Sequence, residues 1–103
     1  MEPASALHEF AGKLFHLHAK DVKIDRVRLN EAGVFAHPLE WHQPRIPGYG
    51  EINWAHFMGT LMETGYDGPI CIEVEDETFG RTLEGRKRAV RVARHILSPF
   101  IPN

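Results

Sequence analysis

Hydrophobic residues recur every three to four positions in three segments of the chain, which is the spacing of one face of an α-helix. The clearest segment begins after Asn53, a candidate N-cap, and ends before Gly65, a candidate left-handed residue beyond the helix end. Its apolar positions are Trp54, Phe57, Met58, Leu61 and Met62. This pattern predicts an amphipathic helix that packs one face against a core.

Two flanking segments predict further helices. Residues 3–11 have apolar residues at helical spacing, and Gly12 follows where a left-handed glycine would end the helix. Residues 82–97 form a longer helix that Pro99 stops, with many arginines on its outer face. The predicted inward positions of this last helix are Leu83, Val90, Ala93 and Leu97.

Two short apolar runs predict β-strands, because they are too short for buried helices. The first strand covers residues 13–21, and the second covers residues 70–74, with Cys71 as a small buried hydrophobic residue and both strand faces covered. Residues 22–52 show no sustained period and are rich in glycine and proline, so we expect a long loop there. Strands that alternate with helices predict right-handed βαβ connections, and therefore an α/β fold with two parallel strands.

The size and composition of the chain are those of one small globular domain. Its 103 residues, 43% of them hydrophobic and 25% charged, exclude disorder throughout. A formal net charge of −2 lacks the basic excess that drives binding to nucleic acid or to an anionic membrane. The sequence has no signal peptide, no apolar run that would span a bilayer, and a single cysteine that cannot form an intrachain disulfide. We therefore expect a cytoplasmic protein with no membrane partner.

Two parallel strands alone make an incomplete sheet. Both edges would carry unpaired backbone groups, and the apolar helix faces need more sheet to cover than this chain offers. We therefore expect a homo-oligomer rather than a stable monomer.

Histidines and a glutamate lie near the carboxyl ends of the two predicted strands. His16 and His18 are two residues apart, so they share one strand face, and Glu73 follows the apolar start of the second strand. Parallel α/β folds build their sites at this end, where an imidazole and a carboxylate make half of a divalent-metal site. Two plainer interpretations stay open: the histidines can form a packed or hydrogen-bonded pair, and Glu73 can begin a solvated acidic run.

The predicted loop carries two further candidates. Arg45 begins the Pro/Gly segment RIPGYG, and its plainer interpretation is a solvated turn residue. Trp41, a few residues earlier, has the plainer interpretation of a residue that packs the loop down.

Taken in order, the segments HLHAKD (16–21), RIPGYGEINW (45–54) and TGYDGPICIEVED (64–76) resemble the C-terminal end of the sugar phosphate isomerase/epimerase family. These enzymes are xylose isomerase-like TIM barrels. The resemblance implies that residues 1–103 are one partial domain, namely the last two β/α units of a (β/α)8 barrel, completed by self-association.

The resemblance also implies roles for individual residues. His18 and Glu73 resemble the imidazole and carboxylate ligands of a divalent metal, with Glu73 also a partner in proton transfer, whereas His16 has a hydrogen-bonded role. Arg45 and Trp41 are the expected substrate contacts. The metal, which the sequence does not specify among Mn, Mg, Co and Zn, would polarise a sugar or sugar phosphate so that a proton moves between adjacent carbons through an enediolate. The family completes this site with a glutamate and an aspartate from earlier strands, which this sequence lacks.

Three functions remain as alternatives. The first is a fragment of a metal-dependent sugar isomerase or epimerase, inactive as an isolated chain. The second is a non-catalytic, self-associating α/β module from a truncated gene. The third, an endonuclease IV-like repair enzyme, is disfavoured by the net charge.

Overall fold

A computed structural model describes residues 3–101 of the chain. The helices are α1 (Pro3–Phe10), α2 (Arg26–Ala32), α3 (Trp54–Glu63), α4 (Glu77–Gly80) and α5 (Leu83–Leu97). The strands are β1 (Leu17–Ala19), β2 (Asp21–Ile24), β3 (His42–Arg45) and β4 (Ile70–Ile72). Short 3₁₀ turns follow α1, precede β3 and follow α5.

β1 and β4 form a two-stranded parallel sheet, in register from Leu17 opposite Ile70 to Ala19 opposite Ile72. One face of this sheet packs against the main core, to which α1, α3 and α5 contribute. The buried residues of that core are Leu7, Ala19, Trp54, Met58, Leu61 and Leu97. The predicted α/β class, with parallel strands and flanking helices, is confirmed.

Residues 22–52 are not the long loop that their composition predicted. β2 and β3 pair antiparallel, from Asp21 opposite Arg45 to Ile24 opposite His42, and α2 lies between them in the chain. The sequence of β3, HQPR, contains none of the usual strand-forming residues, so pairing with β2 and not local preference produces this strand. Arg45 accordingly ends a strand instead of lying in a loop.

α3 matches its prediction closely because its signals are local. The side chain of Asn53 accepts a 3.1 Å hydrogen bond from the backbone N–H of His56, as an N-cap does. Gly65 adopts a positive φ of 77° just beyond the helix. The buried apolar residues of α3 are Trp54, Met58 and Leu61.

The other two predicted helices differ in detail. α1 continues into a 3₁₀ turn at Ala11–Lys13, and Gly12 lacks the positive φ predicted for it. α5 buries a stripe of residues four apart along one face, made of Ala89, Ala93 and Leu97. Leu83 and Val90, predicted to face inward, lie off this stripe and are 61% and 43% exposed. The short helix α4 was not predicted.

β4 is shorter and less covered than predicted. It ends at Ile72, and its middle residue, Cys71, is exposed. Ile70 and Ile72 pack against the core, whereas alternation along the strand turns Cys71 to the opposite face, which the described helices leave open. The prediction of a strand buried on both faces, with Cys71 as a buried hydrophobic residue, is therefore wrong. No helix within residues 3–101 is both long and apolar enough to cross a lipid bilayer.

Candidate functional site

The two parallel strands bring His18 and Glu73 together. His18 is the register partner of Cys71, so Glu73, two residues further on, lies on the same face towards the carboxyl end. The backbone N–H of Glu73 donates to the carbonyl of Ala19 over 3.0 Å, which extends the pairing beyond the end of β4. The Nδ1 atom of His18 and the Oε1 atom of Glu73 are in direct hydrogen-bond contact.

A lysine lies beside this contact and affects its charge. The Nζ atom of Lys20 is 3.8 Å from Oε2 of Glu73. The hydrogen bond from His18 lowers the pKa of Glu73 below its ordinary value; desolvation opposes this shift, and the charge of Lys20 adds to it. A carboxylate that stays ionised suits a metal ligand but accepts a proton only weakly.

His16 and Cys71 share the open face of the sheet with His18. The rings of His16 and His18 meet edge to face, with their centroids 4.8 Å apart. One possible donor atom from each of His16, His18 and Cys71 lies within 4.8 Å of the other two, and all three residues are exposed. Sequence reasoning gave Cys71 no part in this cluster, because an apolar run predicts burial and does not say which face is covered.

Asp21 holds the segment that follows β3. Its buried carboxylate accepts five hydrogen bonds, of 2.8–3.2 Å, from the backbone N–H groups of Val22, Gly48, Gly50 and Ile52 and from the indole N–H of Trp54. The chain passes so close that a Cβ atom on Gly50 would lie 2.3 Å from Oδ1 of Asp21 and 2.4 Å from the carbonyl oxygen of Val22. Sequence reasoning missed this role; the available signal was an acidic residue at the end of the predicted strand, residues 13–21.

Asp76 is a second carboxylate that sequence reasoning missed. Its place among Glu75 and Glu77 predicts a solvated acidic residue, yet its side chain is fully buried. It accepts hydrogen bonds from the backbone N–H of Ile46 at 3.2 Å and from that of Thr78 at 2.9 Å, the latter capping α4. Nη1 of Arg45 lies 3.7 Å from its Oδ1 atom. Asp76 thus fixes the end of β3 against the residues that follow β4.

Arg45 is held in place and is not directed into bulk water. Its side chain is 23% exposed, and it donates 2.9 Å hydrogen bonds to the carbonyl of Pro44 and to Oε1 of Gln43. It lines a cleft together with Lys20, His42, Pro44 and Glu75 among other residues. Its described polar partners do not include His18 or Glu73, so the structure brings the two predicted ligands together and leaves Arg45 to one side.

Trp41 lies just before β3 and is half-buried. Its ring meets that of His42 edge to face, with the centroids 6.3 Å apart. Its indole N–H is buried, and no acceptor for it is present among residues 3–101. Trp41 is not among the described residues that line the cleft of Arg45.

The donors at the carboxyl ends of β1 and β4 fit a divalent cation in part. His18 offers an imidazole nitrogen and Glu73 a carboxylate, a donor set used by Zn and other divalent transition metals. Catalytic metal sites in proteins generally hold the ion with three or more protein ligands. These two residues therefore correspond to half of such a site.

One family model and two curated proteins match most of this chain. Residues 2–98 match the family model described as xylose isomerase-like TIM barrel. The 3-dehydroshikimate dehydratase of Pseudomonas putida is 35% identical over 78 residues, which are 73% of this chain and 12% of that protein. The inosose dehydratase of Clostridium tetani is 24% identical over 78 residues, which are 74% of this chain and 26% of that protein. No solved structure matches at a comparable level of significance. The chain thus spans roughly an eighth to a quarter of the length of these curated relatives.

Proposed function

Because this chain belongs to the xylose isomerase-like TIM barrel family, we propose that β1 and β4 are the last two strands of such a barrel and that their carboxyl ends carry half of a divalent-metal site. The observation that carries this proposal is the contact between His18 and Glu73 across two neighbouring parallel strands. Active sites of TIM barrels lie at this end of the strands.

The proposed reaction is proton transfer at a carbon next to a carbonyl group of a hydroxylated small molecule, such as a sugar or sugar phosphate. A divalent cation at this place would polarise the carbonyl and hydroxyl oxygens of the substrate. Isomerisation of a sugar and dehydration of a hydroxyketone both begin with loss of such a proton. The two relatives are named dehydratases, whereas the motifs resemble those of isomerases and epimerases, so we propose the step that both reactions share.

We propose that His18 and Glu73, which contact each other, both act as ligands of the cation. His18 would exchange its Nδ1 contact with Glu73 for the cation, so that both side chains bind the same ion. Glu73 is the proposed carboxylate ligand and also the proposed catalytic carboxylate. Its lowered pKa supports the ligand role more strongly, since a carboxylate that stays ionised is a weak general base.

Arg45 and Trp41 are the proposed substrate contacts. Arg45 shares its cleft with Lys20, and Lys20 in turn lies 3.8 Å from Glu73. The positively charged side chains of Arg45 and Lys20 beside a metal half-site suit an oxygen-rich or phosphorylated substrate. A guanidinium can bind such a group through two parallel hydrogen bonds. Trp41 is proposed on the family resemblance alone, since its indole N–H is buried and lies outside the cleft of Arg45.

We propose that the remaining ligands come from outside this copy of the chain, either from a second copy in a homo-oligomer or from another part of a longer polypeptide. A non-catalytic module is the competing function, and it predicts self-association without proton transfer. The enzymatic function and the non-catalytic module therefore differ in whether proton transfer occurs, and not in whether the chain self-associates.

The test uses the purified chain and three variants, His18→Ala, Glu73→Gln and the control His8→Ala, whose histidine is exposed on α1. Binding of Mn²⁺ is measured from the spectrum of the free ion, and exchange of the carbon-bound proton of 3-dehydroshikimate or inosose is followed by NMR in D₂O. We expect the affinity for Mn²⁺, and the exchange rate where a homo-oligomer completes the site, to fall at least about 10-fold in His18→Ala and Glu73→Gln and to persist in His8→Ala.

Each result of this test bears on a different part of the proposal. Binding without exchange would refute catalysis by a homo-oligomer of this chain, which leaves the longer polypeptide or the non-catalytic module. Binding that does not depend on His18 would refute the half-site itself.

A further inference from the structure

The open face of the β1–β4 sheet carries a second set of metal donors that overlaps the first. Donor atoms of His16, His18 and Cys71 all lie within 4.8 Å of one another. The strand register produces this arrangement, because His18 stands directly opposite Cys71 and His16 precedes His18 by two residues on the same face. All three side chains are exposed, so an ion from solution can reach them.

The chemistry of this set differs from that of the His18–Glu73 pair. Two imidazoles and a thiolate select borderline and soft ions such as Zn²⁺, Co²⁺ and Cu⁺, whereas carboxylates and water suit Mg²⁺ and Mn²⁺. We propose that His16, His18 and Cys71 form a thiolate-containing site for Zn²⁺ or a similar ion, independent of the proposed enzymatic function. On binding, the Cys71 thiol releases its proton to solvent, and a water molecule takes the fourth position.

The distances are compatible with this site. Around a tetrahedral Zn²⁺ ion, with Zn–N of about 2.0–2.1 Å and Zn–S of about 2.3 Å, ligand atoms lie about 3.4–3.6 Å apart. The three donors within 4.8 Å therefore need to close by little more than about 1 Å. Exposed side chains make such a movement by rotating about their χ angles, with no change in the strands.

Glu73 has a different role in each of the two sets. In the proposed half-site it is a ligand, whereas beside the thiolate site its contact with Nδ1 of His18 leaves Nε2 of that ring for the metal. A carboxylate that holds the far nitrogen of a ligating histidine is the usual arrangement around zinc. Because both sets use His18, a thiophilic ion bound here would exclude a cation at His18 and Glu73.

The test is anaerobic titration of the purified, reduced chain with Co²⁺, followed by competition with Zn²⁺. Cys71 is the single cysteine of the sequence, so a thiolate-to-cobalt charge-transfer band reports this residue alone. We expect one ion per chain, loss of the band in Cys71→Ser, and an affinity at least about 10-fold weaker in His16→Ala.

Two further variants keep this proposal separate from the proposed function. Glu73→Gln should retain the charge-transfer band while losing Mn²⁺ binding, and His8→Ala should change neither. Circular dichroism of each variant is the control for whether the fold is kept. The proposal is overturned if the band is absent, if it survives in Cys71→Ser, if His16→Ala leaves the affinity unchanged, or if one ion binds two chains through two thiolates.

Discussion

Replacing Asp21 by asparagine removes one acceptor oxygen from a carboxylate that serves five N–H donors. Oδ2 accepts three of these hydrogen bonds, and Oδ1 accepts those from the backbone N–H groups of Val22 and Ile52. The asparagine oxygen can take the place of Oδ2, but its NH₂ group then faces two N–H donors. Both donors lose their acceptor; Asp21 itself is buried, whereas Val22 is half-buried and Ile52 is exposed.

The expected cost follows from those two donors. A buried donor left without a partner costs about 1–3 kcal/mol and less where water reaches it, and the three surviving bonds weaken because the acceptor is no longer charged. We expect the free energy of unfolding to fall by about 2–4 kcal/mol in Asp21→Asn, a large part of the ~5–15 kcal/mol typical of a domain. The matched control is Asp67→Asn, an exposed aspartate in a turn, with an expected change within about 0.5 kcal/mol.

The assay is urea unfolding followed by tryptophan fluorescence, at one fixed chain concentration because self-association shifts apparent stability. Hydrogen exchange supplies a local measurement: the amides of Gly48, Gly50 and Ile52 should lose protection in the variant, since their acceptor is weakened or gone. If Asp21→Asn unfolds like Asp67→Asn and keeps protection at these amides, the carboxylate does not organise this segment and the reasoning fails.

Four other outcomes are expected. Gly50→Ala should cost about 1–3 kcal/mol by crowding the backbone, whereas Gly12→Ala, with open space around its Cβ position, should be nearly neutral in the same unfolding assay. In chelated buffer, the stability that Glu73 gains from His18 is present above the ordinary carboxyl pKa and is lost as the pH falls through its lowered pKa, so Glu73→Gln should flatten the acid limb of a stability–pH profile. Arg45→Ala should cost about 1–2 kcal/mol in urea unfolding, more than an exposed truncation, since a buried carboxylate loses its cation. Light scattering of the purified chain should give a mass above that of the monomer; a cooperatively folded monomer would contradict the expected self-association.

The parts of the fold that the sequence predicted well rest on local signals. α3 follows from its apolar spacing, its Asn53 cap and Gly65, all within one short stretch. The proximity of His18 and Glu73 follows from topology, because two neighbouring parallel strands place their carboxyl ends side by side.

The parts that were missed depend on contacts between distant segments. β3 has no strand-like sequence and forms because β2 pairs with it and Asp76 binds the amide that follows it. The burial of Asp76 cannot be predicted from a run of acidic residues, since the sequence of the run does not show whether one of its members is solvated or caps a helix. Cys71 shows the same difficulty in reverse, because an apolar strand predicts burial without saying whether anything covers its second face.

The contact between His18 and Glu73 joins residues that are 55 positions apart in the sequence. Closing a loop of that length in a flexible chain costs roughly 3–4 kcal/mol of entropy. In the folded chain, the pairing of β1 with β4 has already closed this loop, so binding of an ion would not require that loss of entropy. If the proposed half-site holds a cation between these two side chains, that cation would act as a reversible cross-link whose affinity depends on whether the strands are paired. A substitution that loosens the β1–β4 pairing should weaken metal binding without touching a ligand, and a chelator should hasten separation of the strands.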